Sequence, residues 1–285
     1  MKNKRGIIIF VSVLILLAVI TVTVVLPLTS RNFSKRYFSE DLKNVDDIVL
    51  IADCSEIDEI SNSVAGFKES VRLGADAVII DLCFKKDGTP VQCDSYPNAE
   101  TAEAVEELFK TMNLEKYSDI TVYLNIVQLS DISKLNELAV SYDVIDRIFL
   151  IGIDREHYGL IDSDDTIIPF LLSYEFSSSE LADIKDGSFK VPDIIEEYGA
   201  AGLVLEGSRL TPELAEVLAD YGIYYIANGT KNTAQLCKIL SEDVRNVIVP
   251  NIETARATLD QWTEEMQKRY KASFESSIAA ISNKS

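Results

Sequence analysis

From residue 48 onward, short runs of Val, Ile and Leu alternate with longer stretches in which apolar residues recur every three to four positions. The short runs predict strands at 48–53, 76–84, 90–93, 120–127, 147–152, 166–172, 201–205, 223–227 and 246–249. Near-continuous apolar character in 201–205 and 246–249 suits strands buried on both faces. Among the helical stretches, 212–221 is the best specified. Thr211 can accept from a free amide of the first turn, Pro212 tolerates that turn, Leu214, Val217, Leu218 and Tyr221 share one face, and Gly222 ends it. Alternation of this kind predicts a mostly parallel sheet with covering helices. It fits an eight-stranded barrel better than an open sheet, with a doubly wound fold as the alternative on pattern alone.

The two ends of the chain break this rhythm. Residues 7–28 carry no charge and follow Lys2, Lys4 and Arg5, so residues 1–6 read as a basic leader and 7–28 as a transmembrane helix. A signal peptide would have a shorter apolar core and a small-residue cleavage site, whereas this segment exits through Pro27 and Leu28. Residues 29–47 are polar and mixed in charge and read as a tether. Arg31, Lys35, Arg36 and Lys43 nearly balance the leader's charge, and the expected orientation places the amino terminus inside and the domain outside the cell membrane. Residues 48–260 form the expected barrel. Residues 261–285 are expected to close it with a helix, in which Trp262, Met266, Tyr270 and Phe274 recur at helical spacing, and to end in a frayed tail.

Charge changes the list of partners. With 46 acidic against 27 basic residues the formal charge is −19, which argues against nucleic acid and against adhesion to anionic lipid beyond the juxtamembrane basics. The membrane itself, through the single anchor, and an unknown protein or phosphodiester ligand are the remaining expectations.

One block of the sequence is more specific. Asn62 and Ser63 open a helix, Gly74-Ala75-Asp76 leads into a strand holding Asp81, and Lys86-Asp87-Gly88 turns into Pro90-Val91 and Asp94. This order and spacing resembles the glycerophosphodiester phosphodiesterase family, a (β/α)8 barrel of the TIM type, and the likeness extends with falling specificity over residues 45–255. The resemblance implies two histidines acting as general acid and base beside a divalent cation held by carboxylates, a division of labour that needs groups titrating near the working pH.

The chain departs from that pattern at the positions that matter. Asp53, Cys54 and Ser55 stand where the family has His-Arg-Gly, Ile79 stands at the first acid of Glu-x-Asp, and Cys93 stands at the second histidine. The stretch Leu124-Asn125-Ile126-Val127-Gln128-Leu129 lacks the further metal-binding Glu, and Ala227 and Val249-Pro250 replace later pocket residues. The chain has one histidine, His157, in a charged loop where solvent exposure is the usual state. Asp53, Asp81 and Asp94 fall at strand ends on the expected barrel mouth, where three carboxylates could hold Ca²⁺ or Mg²⁺. The plainer reading has Asp81 and Asp94 accepting from loop amides and Asp53 capping a turn.

Four cysteines, at 54, 83, 93 and 237, allow three full pairings. The resemblance implies that Cys54 and Cys93 replace residues facing one pocket, so a disulfide between them is expected, with two separate buried thiols as the alternative. The function expected is a membrane-anchored, catalytically degenerate phosphodiesterase-like barrel used for binding or scaffolding at the cell envelope. The alternatives are an active phosphoric diester hydrolase of lipid metabolism with a rebuilt site, and a divalent-cation-binding regulatory domain.

Overall fold

The computed structural model describes residues 47–282 apart from 57–59, 129–131, 157, 162–165, 231 and 243. The expected transmembrane helix at 7–28, the leader and nearly all of the tether lie outside the described residues. Among the described residues no helix is long and apolar enough to cross a membrane.

The element order is β1 (Val49–Asp53), α1 (Val64–Arg72), β2 (Ala77–Phe84), β3 (Pro90–Gln92), β4 (Glu103–Ala104), α2 (Val105–Met112), β5 (Thr121–Ile126), α3 (Ser133–Ser141), β6 (Ile148–Ile153) and β7 (Phe170–Ser173). It continues with α4 (Ser178–Asp186), α5 (Val191–Tyr198), β8 (Gly202–Glu206), α6 (Pro212–Asp220), β9 (Tyr225–Asn228), α7 (Thr233–Ser241), β10 (Asn246–Val249) and α8 (Ile252–Ser282). The sheet runs β1-β10-β9-β8-β7-β6-β5-β2 and closes through a β1–β2 pairing, every step parallel. This is a closed eight-stranded α/β barrel of the TIM type. β3 and β4 form an antiparallel appendage on the far end of β2.

The strands close because their inward positions are apolar and pack as a plug. Ile51, Ala77, Ile79, Tyr123, Ile151, Leu171, Ile226 and Ile248 fill the lumen. Phe149 stacks between Tyr123 and Tyr224, with ring centroids at 5.7 and 6.0 Å, and the two tyrosine hydroxyls meet at 2.5 Å. That contact gives the two hydroxyls a partner in a largely apolar lumen. Every residue of β2 is buried, as expected for a strand covered on both faces. Each large aliphatic side chain so buried is worth about 1.5–3 kcal/mol.

Several boundaries move for identifiable reasons. β7 starts at Phe170 and not at 166, because the Thr166 hydroxyl accepts from the Ile168 amide in a turn and Pro169 has no N–H to offer a ladder. β9 starts at Tyr225, because the Ile223 amide is still spent on the Leu218 carbonyl at the end of α6, and Gly222 turns the chain at φ 64°. α6 itself keeps the predicted cap, with the Thr211 hydroxyl accepting from the Leu214 amide. The last helix begins nine positions before the expected 261, because the Asn251 side chain accepts from the Thr254 amide just after Pro250.

The chain divides into two compact units, Leu42–Gln261 and Met1–Asp41 with Trp262–Ser285. The first holds the barrel. In the second the described residues, 262–282, are helical, and Lys268 bridges Glu264 and Glu265.

Candidate functional site at the barrel mouth

The carboxyl ends of the strands bring Asp53, Asp81, Asn125, Glu206 and Asn228 to one end of the barrel, the end that carries chemistry in this architecture. At its centre is Asp81, 8% exposed. Its two oxygens accept from the side-chain amides of Asn62 at 2.9 Å and Asn125 at 2.7 Å, and Asn62 Oδ1 accepts from the Asp81 backbone N–H at 2.9 Å. Asn62 is held at φ 45°, a left-handed conformation that costs a non-glycine residue energy but that asparagine tolerates best. Gly152 makes room for Asn125: at φ 81°, it leaves a space where a Cβ would sit 2.5 Å from the Asn125 Oδ1.

Burial pushes the Asp81 carboxyl above the usual aspartate range, the amides of Asn125 and Asn62 pull it back, and the charges of Asp53 and Asp94 add to the rise. Both other predicted aspartates therefore act on Asp81 through space. Their own oxygens turn back on local loops. Asp53 Oδ1 accepts from the Ser55 amide and hydroxyl at 3.0 and 2.7 Å, and Asp94 Oδ1 accepts from Ser95 Oγ and Asn98 Nδ2 at 3.0 and 3.2 Å. A Ca²⁺ or Mg²⁺ cage needs several oxygens aimed at one point. Here both Asp81 oxygens already receive amide protons, and among the described residues no group of three or more His, Cys, Asp or Glu side chains is placed to hold a metal ion. As arranged, the residues do not fit such an ion.

Cys54 and Cys93 go to different neighbourhoods, which corrects the expected disulfide between them. All four cysteines are buried free thiols. Cys54 opens a short turn after β1 and its sulfur packs on Gly66 of α1, where an added Cβ would lie 2.5 Å away. Cys93 instead leaves β3 beside Cys83, in a cluster with Val91 and Ala99. Its amide donates to the Asp81 carbonyl at 3.0 Å and its thiol to the Ser95 carbonyl at 3.3 Å. Ile79 lies in the apolar layer beneath Asp81, and Val127 is 42% exposed and plugs nothing. His157 lies outside the described residues.

Sequence reasoning missed two participants. Asn62 and Asn125 were read as pattern positions, and their joint grip on Asp81 spans 19 and 44 residues of chain. Beside this cluster, at the ends of β1, β9 and β10, a cavity of about 330 Å³ is lined by Asp53, Glu56, Asn228, Gly229, Thr230, Ile248 and Pro250, with no lysine or arginine among the described residues that line it. Glu206, on the same rim, pairs with Arg209, which also meets Glu175. The mouth can donate and accept hydrogen bonds, and the described charges that act on Asp81, those of Asp53 and Asp94, are negative.

No protein-family model and no curated protein sequence matches the chain. Solved structures do. The barrel is similar to glycerophosphodiester phosphodiesterases from Agrobacterium tumefaciens, at TM-score 0.58 and 12% identity over 74% of this chain and 98% of that one, and from Parabacteroides distasonis, at 0.58 and 12% over 75% and 98%. It is also similar to an Oleispira antarctica phosphodiesterase solved with the product sn-glycerol-3-phosphate, at 0.52 and 13% over 74% and 96%. At such identities the likeness establishes the fold, and agrees with the resemblance seen in the Gly74 to Gly88 block.

Proposed function

We propose that this protein is a membrane-anchored barrel of phosphodiesterase fold that has lost hydrolysis and serves in binding or scaffolding at the cell envelope. The observation that carries the reading is the state of Asp81, the one metal carboxylate position that the chain retains. Both of its oxygens are taken up by asparagine amides, in a mouth that offers no placed histidine and no three-carboxylate cage among the described residues. In the resembled family, acid–base groups stand where this chain has Asp53 and Cys93, and metal ligands where it has Ile79 and Val127. Losing one general acid or base typically costs 10²- to 10⁴-fold, and losing the metal removes Lewis-acid activation and substrate orientation as well. The negative charges at the mouth argue in the same direction, since a phosphodiester approaching Asp53, Glu56 and Asp81 without a cation is repelled.

Anchoring through residues 7–28, with the domain extracytoplasmic, completes the reading, on the uncharged span and its basic leader. The protein is expected in the membrane fraction, and a chain recovered with its start near residue 30 would make the segment a signal peptide.

The decisive assay offers glycerophosphocholine and glycerophosphoglycerol to the purified protein with Ca²⁺, Mg²⁺ or Mn²⁺, beside Asp81→Ala. No turnover above background is expected. Turnover that disappears in Asp81→Ala would establish a rebuilt phosphoric diester hydrolase instead. Calorimetric titration with Ca²⁺ and Mg²⁺ separates the third reading, a cation-regulated domain. Heat at millimolar cation that Asp81→Ala abolishes would favour it.

A further inference from the structure

We propose that Cys83 and Cys93 form a dithiol that closes into a disulfide across the hairpin of β2 and β3. Three observations carry it. The ladder pairs Cys83 with Val91 and Leu82 with Gln92, so Cys93 sits diagonally across from Cys83 on the same face. The Cys83 thiol points at Cys93, donating to its carbonyl at 3.3 Å. β3 ends at Gln92 and the Cys93 amide makes one further bond across the hairpin, to the Asp81 carbonyl, so the chain from Asp94 onward lies outside the ladder and is the part that adjusts when the two sulfurs close. Neither Cys54, which packs on Gly66, nor Cys237, within α7, shares that cluster.

The chemistry proceeds by thiol–disulfide exchange with an external disulfide, such as oxidised glutathione or an oxidised thiol oxidoreductase. Cys93, 6% exposed against 0% for Cys83, is the point of entry. Its thiolate attacks the external disulfide, forming a mixed disulfide and releasing one thiol. The Cys83 sulfur then attacks the Cys93 sulfur, releasing the second thiol. Two protein thiols lose two electrons and two protons, and one external disulfide becomes two thiols. Burial, and then the neighbouring Cys93 thiol, push the Cys83 thiol up to about 12. Once Cys93 is in the mixed disulfide its contribution disappears, which favours the closing step. The bond would tie the Asp94–Asn98 turn to β2 two residues beyond Asp81, and so lock one wall of the mouth.

The test uses the full-length protein, equilibrated in oxidised and reduced glutathione over a range of ratios, quenched in acid, unfolded, alkylated and digested. The expected result is one linked peptide pair, Cys83 to Cys93, with Cys54 and Cys237 alkylated. The oxidised form should also melt higher by about 5–10 °C, the shift that closing a short loop produces in a domain of this size. Because the measurement is made on the unmodified chain, it does not depend on a variant folding, and Cys54→Ala serves as a control that should leave the link intact. Free Cys83 and Cys93 at the most oxidising ratio would overturn the proposal, as would a link from Cys93 to Cys54.

Discussion

Asp76 and Asp81 lie five residues apart, one just before β2 and the other within it at the barrel mouth, and the fold answers their charges in opposite ways. Asp76, before β2, receives the Arg256 guanidinium at 2.7 Å and the Leu50 amide at 2.9 Å, and the same guanidinium also binds the Gly74 carbonyl. A cation from the start of α8 thus fastens the amino-terminal face of the barrel. Asp81, at the barrel mouth, meets neutral amides and the charges of two further carboxylates among the described residues. The amino-terminal aspartate is matched for stability. The mouth aspartate is held in place by hydrogen bonds without a cation among the described residues to neutralise it. Asp76 of the Gly-Ala-Asp block thus links β1, β2 and α8 at the amino-terminal face.

The largest expected effect tests the mouth. Asp81→Ala strands the side-chain amides of buried Asn62 and half-buried Asn125, and an unmatched buried donor costs about 1–3 kcal/mol. Relief of the buried charge offsets part of this, so a net loss of roughly 2–3 kcal/mol is expected by urea denaturation. A variant as stable as the parent would mean that water replaces the carboxylate, and that the mouth is open to solvent at Asp81.

A smaller effect is expected at the other end. Asp76→Ala removes an ion pair whose side chains are 30% and 40% exposed, together with one hydrogen bond to the β1 backbone. Solvent-exposed pairs contribute little, so a loss of about 1 kcal/mol is expected, and it should shrink in high salt. A loss greater than that of Asp81→Ala would reverse the comparison, making the amino-terminal clamp the more important of the two.

Strand positions were readable because β2, β8 and β10 are nearly unbroken runs of apolar residues, and a run buried on both faces has one simple cause. The capped start of α6 was readable because Thr211, Pro212 and Gly222 act locally. The grip on Asp81 was not readable, because it depends on Asn62 and Asn125 arriving from a loop and a neighbouring strand, and their residue types do not announce a common partner. The partner of Cys93 was missed for a related reason. Substitution into two positions facing one pocket suggested Cys54, but the antiparallel register after the Lys86-Asp87-Gly88 turn sets Cys93 beside Cys83, and Cys54 turns to Gly66. The two-residue strand β4 left no periodic trace at all.

The finest test of the comparison is pH dependence. Burial raises the Asp81 carboxyl, so the folded protein holds that proton more tightly than the unfolded chain does. Its contribution to stability is therefore fully present below the ordinary aspartate value of about 3.9, and is lost as pH rises through the folded value. Asp81→Asn cannot ionise and keeps the size of the side chain and one acceptor. Between about pH 4 and pH 7 the stability difference should move in favour of Asp81→Asn. Carboxyls lowered by hydrogen bonds, such as Asp87 with Thr89 and Asp186 with Ser188, act with the opposite sign but equally in both proteins, and cancel in the difference. Urea denaturation of the pair at three pH values measures it. A difference independent of pH would mean that the two asparagines compensate the charge as fully as Arg256 does for Asp76, and the two aspartates would then be electrostatically alike.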